Sequence, residues 1–288
     1  MTLKEVYNSR SVEEVVGLLG EYGSEAKLIS GGTDIVIELK NKKITPKILI
    51  DISKIEELKK IKEDENHIIL GSGVTFTEIT ENPLFKGNLH GLHKACKMVG
   101  SPQIRNKGTI GGNIANGSSA ADSIPPLIAL GAIIKICSIE GTREIPLEDY
   151  YINKLKSNEI ITEIKFEKLN KNQNLNFAKL GLRKALAISR LSIASLIELN
   201  EEGLIENVTI SSGALGKYPM REKEVEEYLI NKEINETTIE EAITVLQNSM
   251  DERLKGRSTL PYKRVAVSSI LRENLKEFIK TRTEVRAW

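Results

Sequence analysis

Residues 109–123 read TIGGNIANGSSAADS, placing Gly111, Gly112 and Gly117 among small and polar side chains with no Leu, Phe, Lys or Arg. Each glycine costs roughly 0.5–1 kcal/mol of extra backbone entropy relative to alanine, so a folded domain keeps such a run only where something offsets that cost. Two offsets are open: a tight turn needing positive φ, or a large ligand lying directly against the main chain. The second would make the stretch part of a binding site.

A second glycine segment lies upstream. Leu28-Ile29-Ser30-Gly31-Gly32-Thr33-Asp34-Ile35 reads as a strand running into a Gly-Gly turn and then a helix start near Thr33 and Asp34. Free N–H groups at such a junction point outward, and the absence of Cβ atoms at 31 and 32 lets a phosphate approach the backbone. The charge of Asp34 suits the helix dipole but repels a phosphate, so a diphosphate there sits on amides and not on this side chain. Alone, Gly-Gly before a helix is commonly a turn. Two such segments fit a long diphosphate-bearing ligand gripped from both sides. There is no GxxxxGK[ST], and Gly71-Ser72-Gly73-Val74-Thr75-Phe76 carries a phenylalanine where GxGxxG needs its third glycine, so P-loop and Rossmann sites are both disfavoured.

The 288 residues suit two domains and a sizeable core. With 41 Lys+Arg against 40 Asp+Glu the chain has no bulk field for nucleic acid or a membrane surface. The two cysteines, Cys96 and Cys137, form no CxxC pair, so this chain alone builds neither a zinc ribbon nor a cysteine-ligated iron–sulfur cluster. MTLKEVYNSR lacks an apolar signal core, and the apolar run IPPLIALGAII falls short of the ~20 residues that span a bilayer. The expectation is a cytoplasmic protein.

Ser11-Val-Glu-Glu14 is a capping box opening a helix with Val12, Val15, Val16 and Leu19 on one face, closed by Gly20 and Gly23. AKLIS and KILIDIS then read as a parallel pair of strands around the Gly31-Gly32 turn. HIIL, AIIKICSI, REIPL and EIITEIKF read as strands, with helices near 76–82, 89–98 and 124–131. The polar KLNKNQNLN, 168–176, reads as a linker. Strands at 193–199 and 207–215 follow, then helices near 221–230, 238–250 and 264–281, the second opened by the box Thr238-Ile-Glu-Glu241.

LISGGTDI, GSGVTFTEI, GSPQIRNKGTIGGNIANGSSAADSIPPLIALGA and FAKLGLRKALAI resemble the FAD-binding (medium) subunit of molybdenum hydroxylases, most closely its xanthine dehydrogenase branch, over nearly the whole chain. The resemblance implies an α+β chain. A two-subdomain FAD-binding domain of the PCMH/vanillyl-alcohol-oxidase type would occupy 1–170, with subdomains of about 1–60 and 61–170. A C-terminal α+β domain with a small antiparallel sheet and helices would follow over 177–288. It places cofactor contacts on Leu28, Ile29, Ser30, Gly31, Gly32, Thr33, Asp34 and Ile35, on Val99, on Thr109, Ile110, Gly111, Gly112 and Asn113, and on Asp122, Ile161 and Lys179. Lys107-Gly108 departs from the family, which often has two small apolar residues there.

By residue type alone, Asp122 before Ser-Ile-Pro-Pro reads as a helix cap, and the resemblance adds a hydrogen bond to flavin-side hydroxyls. Lys179 reads as a solvated strand lysine, and the resemblance turns it toward reduced, anionic flavin. Val99 and Ile161 suit core packing as well as cofactor contact. Arg105 and Asn106 either touch the cofactor or brace the loop. His90, His93 and Cys96 are spaced by three, but on a helix they spread over about 120°, too wide to converge on one metal. No nucleophile–base pair or carboxylate pair stands out, so no catalytic side chain and no metal ligand is assigned.

The function the resemblance implies is electron transfer. A large molybdenum-cofactor subunit and a small [2Fe-2S] subunit supply electrons to FAD here, and NAD or another acceptor takes them. The glycine loops hold no His or Cys, so the FAD is expected to be non-covalent. The flavin subunits of carbon monoxide dehydrogenase, a nicotinate-type hydroxylase or hydroxybenzoyl-CoA reductase are alternatives, and a colourless interaction module is a third.

Overall fold

The computed structural model describes residues 3–152, 155–183 and 187–285. They form two compact units, each stitched from separated stretches. One contains Met1–Glu81, Ser101–Gly117 and Gly131–Lys168, the other Asn82–Gly100, Ser118–Leu130 and Leu169–Trp288. Strands and helices are numbered in chain order.

In the first unit, β1 (Glu5–Asn8), β2 (Ala26–Ile29) and β3 (Ile48–Asp51) make a parallel sheet in the order β1-β3-β2. Helix α1 (Val12–Tyr22) starts where the capping box predicts, with Ser11 Oγ accepting from the Glu14 amide at 3.2 Å. Its Val15 and Leu19 bury against Ala26, Ile48 and Ile50. The parallel pair gains β1 as an unexpected edge strand. Its EVYN sequence buries almost nothing and so carries no apolar alternation. Helix α2 (Ile35–Lys40) follows β2.

A second sheet of the same unit comprises β4 (Ile61–Glu63), β5 (His67–Gly71), β6 (Ile133–Ser138), β7 (Gly141–Pro146) and β8 (Ile160–Glu167), all antiparallel in the order β4-β5-β8-β6-β7. The short helices α3 (Phe76–Glu81), α5 (Pro102–Arg105), α6 (Ile110–Asn116) and α8 (Leu147–Tyr150) belong to this unit, while α4 (His90–Lys97) and α7 (Ile124–Ala129) belong to the other.

The second unit is built on an antiparallel sheet, β12-β11-β10-β9, from β9 (Gln173–Gly181), β10 (Ser189–Leu199), β11 (Ile205–Gly213) and β12 (Met220–Arg221). On one face, Ala178, Leu191, Ile193, Ile197 and Ile210 pack against α9 (Lys223–Leu229), α10 (Glu236–Arg253) and α11 (Leu260–Val285). The opposite face meets α4 and α7: Ser211 Oγ donates to the Pro125 carbonyl at 2.5 Å, and Lys179 Nζ reaches the carbonyl of Met98.

Two expectations need correction. The polar stretch 168–176 is not wholly a linker, because β9 begins at Gln173. Its Asn176 is buried, donating Nδ2 to the Asn274 carbonyl of α11 at 2.8 Å, so a polar residue serves the interior. Helix α10 starts at Glu236 and is capped by Asn235, whose Oδ1 accepts from the Thr238 amide at 2.9 Å. Thr238 itself is the donor, within the first turn.

Candidate cofactor site

The first glycine segment behaves as its residues predict. Between the end of β2 and the start of α2 the chain turns at Gly32, whose φ is +72°, a conformation other residues adopt at a cost. Among the described residues, none of the amides of Gly31, Gly32, Thr33 and Asp34 donates a hydrogen bond. Asp34 occupies the N-cap position without capping, and its Oδ2 instead accepts from Thr33 Oγ1 at 3.2 Å. Four unspent donors thus sit together on a turn with two bare α-carbons.

The second segment differs from the first. It forms a helix, α6, with Thr109 as N-cap and Gly117 closing it at φ +66°. Its amides are already engaged. Ile110 donates to the Val74 carbonyl at 2.9 Å, Gly111 to Ser72 O at 2.9 Å, Asn113 to Thr109 O at 2.9 Å, and Gly112 to Thr109 Oγ1 at 3.2 Å. Gly111 is required by the protein itself, since a β-carbon there would lie 2.4 Å from Ser72 Cβ. A β-carbon on Gly112 would meet, within 4 Å, only Thr109 Oγ1 at 2.8 Å, and the residue is exposed, so no main chain covers that side. The grip is therefore asymmetric: the first segment offers free amides, the second an uncovered surface.

These segments adjoin within the first unit. A β-carbon on Gly31 would fall 1.7 Å from the carbonyl oxygen of Lys107, so the backbones touch where Gly31 is bare. The Lys107-Gly108 turn is set by α5, whose Ile104 carbonyl accepts from the Lys107 amide at 3.1 Å and the Gly108 amide at 2.6 Å. Ser72 ties α6 to β8, donating its amide to Thr162 O at 2.9 Å. Next to Thr162, Ile161 is 4% exposed and paired with Ile136 across the sheet, as its packing reading expects.

Val99, Asp122 and Lys179 belong to the second unit. Val99 follows α4 and is half-buried. Lys179 is not a solvated strand lysine. Its side chain is 5% exposed, and Nζ donates to Asp122 Oδ2 at 2.5 Å and to the carbonyls of Met98 and Ala187, both at 3.2 Å. Asp122 does not cap α7, whose N-cap is Ser123. Its second oxygen, Oδ1, accepts from Ser189 Oγ at 2.5 Å. Burial pushes the Asp122 carboxyl up from its ordinary value, opposed by the Lys179 ammonium and the Ser189 hydroxyl.

Ser189 was invisible to sequence reasoning, and β10 shows why. Pairing shifts between Ser189↔Gly181 and Leu191↔Leu180, so Arg190 is an extra residue in a bulge. The bulge reverses alternation, bringing Ser189 onto the face that holds Lys179, whose partner across the strands is Ser192. Positions three apart do not share a face in an unbroken strand.

His90 and His93 stack with ring centroids 5.6 Å apart, and Cys96 is fully buried. Among the described residues no group of three metal-binding side chains assembles. A flavin dinucleotide needs bare backbone donors for its diphosphate and a surface clear of side chains beside them. The Gly31–Asp34 amides and the open face of Gly112 meet both requirements.

The family description "FAD binding domain in molybdopterin dehydrogenase" matches residues 2–166, and "CO dehydrogenase flavoprotein C-terminal domain" matches 177–278. The nicotinate dehydrogenase FAD-subunit of Eubacterium barkeri is 33% identical over 277 residues, covering 93% of this chain and 94% of that protein. The xanthine dehydrogenase FAD-binding subunit of Escherichia coli O157:H7 is 26% identical, with 95% of each chain covered. The solved carbon monoxide dehydrogenase of Hydrogenophaga pseudoflava superimposes with a TM-score of 0.88 at 26% identity, over 95% of this chain and 96% of the other. Matched over both sheets of the first unit and the C-terminal antiparallel layer, the chain belongs to the FAD-binding subunits of the molybdenum hydroxylase family.

Proposed function

We propose that this chain is the electron-transfer subunit of a molybdenum hydroxylase complex, taking electrons from a small [2Fe-2S] subunit that is fed by a large molybdenum-cofactor subunit, and passing them to NAD or another acceptor. When bound, FAD supplies the redox exchange between one-electron donors and a two-electron acceptor. The observation that carries the reading is the row of unspent amides at Gly31–Asp34 on a turn without β-carbons at 31 and 32. Those amides hold the diphosphate, and Leu28, Ile29, Ser30 and Ile35 shape the strand and helix on either side. Of the α6 residues assigned to the cofactor, the exposed Gly112 and half-buried Asn113 present the open face, while Thr109, Ile110 and Gly111 are buried and fix the helix's first turn. Val99, Ile161, Asp122 and Lys179 are assigned to the flavin by the family resemblance. In that role the Asp122–Lys179 pair keeps a fixed, nearly neutral dipole, with Ser189 holding the carboxylate in place.

The sequence motifs favour xanthine as the substrate of the assembled complex. A second reading, nicotinate, is supported by the 33% identity to the nicotinate dehydrogenase FAD-subunit against 26% to the xanthine dehydrogenase subunit. Both substrates are nitrogen heterocycles. The expected division of the sequence, 1–170 and 177–288, is retained as part of this reading, as is a cytoplasmic location. The test is direct. The purified chain should bind one FAD that acid precipitation releases, and NADH should bleach its visible absorbance. The complex rebuilt with its partners should then oxidise hypoxanthine or nicotinate, but not carbon monoxide. A chain that takes up no flavin overturns the reading.

A further inference from the structure

The asymmetry of the two glycine segments leaves the diphosphate with free backbone donors on one side only. The amides of Ile110, Gly111, Gly112 and Asn113 are all committed to protein acceptors. The side chains nearest in sequence to the first segment's amides add no positive charge, since Asp34 is an anion. A bound diphosphate carries about two negative charges, and desolvating it without a cation is costly.

One cation stands at the junction. Lys107 places its carbonyl oxygen against the α-carbon of Gly31, so this residue is in backbone contact with the free-amide turn. Its own backbone is pinned, with the amide donating to Ile104 O and the next residue bonded to Ile104 O and Phe76 N. Its side chain is exposed, and among the described residues its ammonium has no hydrogen bond and no carboxylate partner. A free lysine on a rigid turn, beside four free amides, is a charge without a partner at a site made for an anion.

We infer that Lys107 is a diphosphate-binding residue, its ammonium supplying to the cofactor's phosphates the second-side contact that the α6 amides do not provide. This rests on the proposed FAD reading. It goes beyond that reading because Lys107 is not among the residues that reading assigns to the cofactor. Its ligand class is a nucleoside diphosphate, and its contribution is electrostatic, so it weakens with salt.

The experiment titrates the flavin-free full-length chain with FAD, with ADP and with riboflavin, at low and high salt, for the wild type, Lys107→Gln and Lys107→Arg. Lys107→Gln is expected to weaken FAD and ADP about tenfold at low salt, with a smaller gap at high salt. It should leave riboflavin, which lacks the diphosphate, unchanged, and Lys107→Arg should restore most of the loss. The melting temperatures of the variants check that the fold is intact, as an exposed side chain without hydrogen bonds implies. Equal FAD affinity for wild type and Lys107→Gln overturns the Lys107 assignment while leaving the cofactor reading standing. An equal loss for riboflavin also overturns it, because the effect would not follow the phosphates. Failure of the wild type to bind FAD overturns both.

Discussion

The carbonyl oxygen of Lys107 lies 1.7 Å from where a β-carbon would stand on Gly31, so position 31 admits no other residue without moving the loop beside it. The contact joins two segments far apart in sequence at the place where the first offers its unspent amides. Glycine here serves the protein's own backbone first and leaves room for a ligand as a consequence.

Gly31→Ala is therefore expected to cost about 2–4 kcal/mol, because the clash is with main chain and not with a flexible side-chain end. Chemical denaturation would show the loss, and FAD affinity should fall with it. Gly112→Ala makes the contrast, since its β-carbon meets a side-chain hydroxyl, that of Thr109 at 2.8 Å, which must shift but is not main chain. Its stability should change far less, while bound FAD loses its open surface. Equal destabilisation by both would contradict the different roles given to them.

The Asp122–Lys179 pair predicts strong coupling. Both side chains are at most 7% exposed and are joined at 2.5 Å, so removing either charge strands the other in the interior. Asp122→Asn and Lys179→Met should each destabilise the second unit by about 3–5 kcal/mol. The double variant should cost clearly less than the two losses added, which a double-mutant cycle on denaturation midpoints would measure. Additive losses would mean the pair is not coupled.

Glu159 sets an acid limit on the first unit. Burial pushes its carboxyl up, but Arg143 grips both oxygens at 3.1 and 3.0 Å and the Lys156 amide donates at 2.8 Å, and the balance lies below the ordinary value. A carboxylate with a depressed folded-state pKa contributes stability above its unfolded value and loses it as pH falls through the folded one. Thermal melts from neutral to acid pH should therefore steepen on the acid side in the wild type. Glu159→Gln should be less stable at neutral pH and flatter below the ordinary carboxylate range. An unchanged acid slope would remove Glu159 from this role.

A further interior polar group is Asn274, fully buried in α11. Its Nδ2 donates to Ile193 O at 3.2 Å, its Oδ1 accepts from Ser195 Oγ at 2.5 Å, and its carbonyl accepts from Asn176. Asn274→Leu removes two of these partners, leaving the buried Ser195 hydroxyl without its acceptor and the Ile193 carbonyl one donor short, so a loss of about 2–4 kcal/mol is expected. Pairing it with Ser195→Ala should recover part of the loss. Equilibrium unfolding of the two variants checks this.

Much of this protein was determined by residue order alone. The capping box at Ser11, the strand-turn-helix around Gly31-Gly32 and the apolar periods of the large helices are local, so a few neighbouring residues decide them. The glycine segments and their flanking motifs also carry the family. Tertiary structure decided the rest. Gly111 is bare because Ser72 crosses it, Ser189 reaches Asp122 because a bulge at Arg190 reverses the strand's alternation, and Lys179 is buried by a carboxylate 57 positions away. Those outcomes depend on which distant segments come together, and periodicity along one strand or helix contains no record of that encounter.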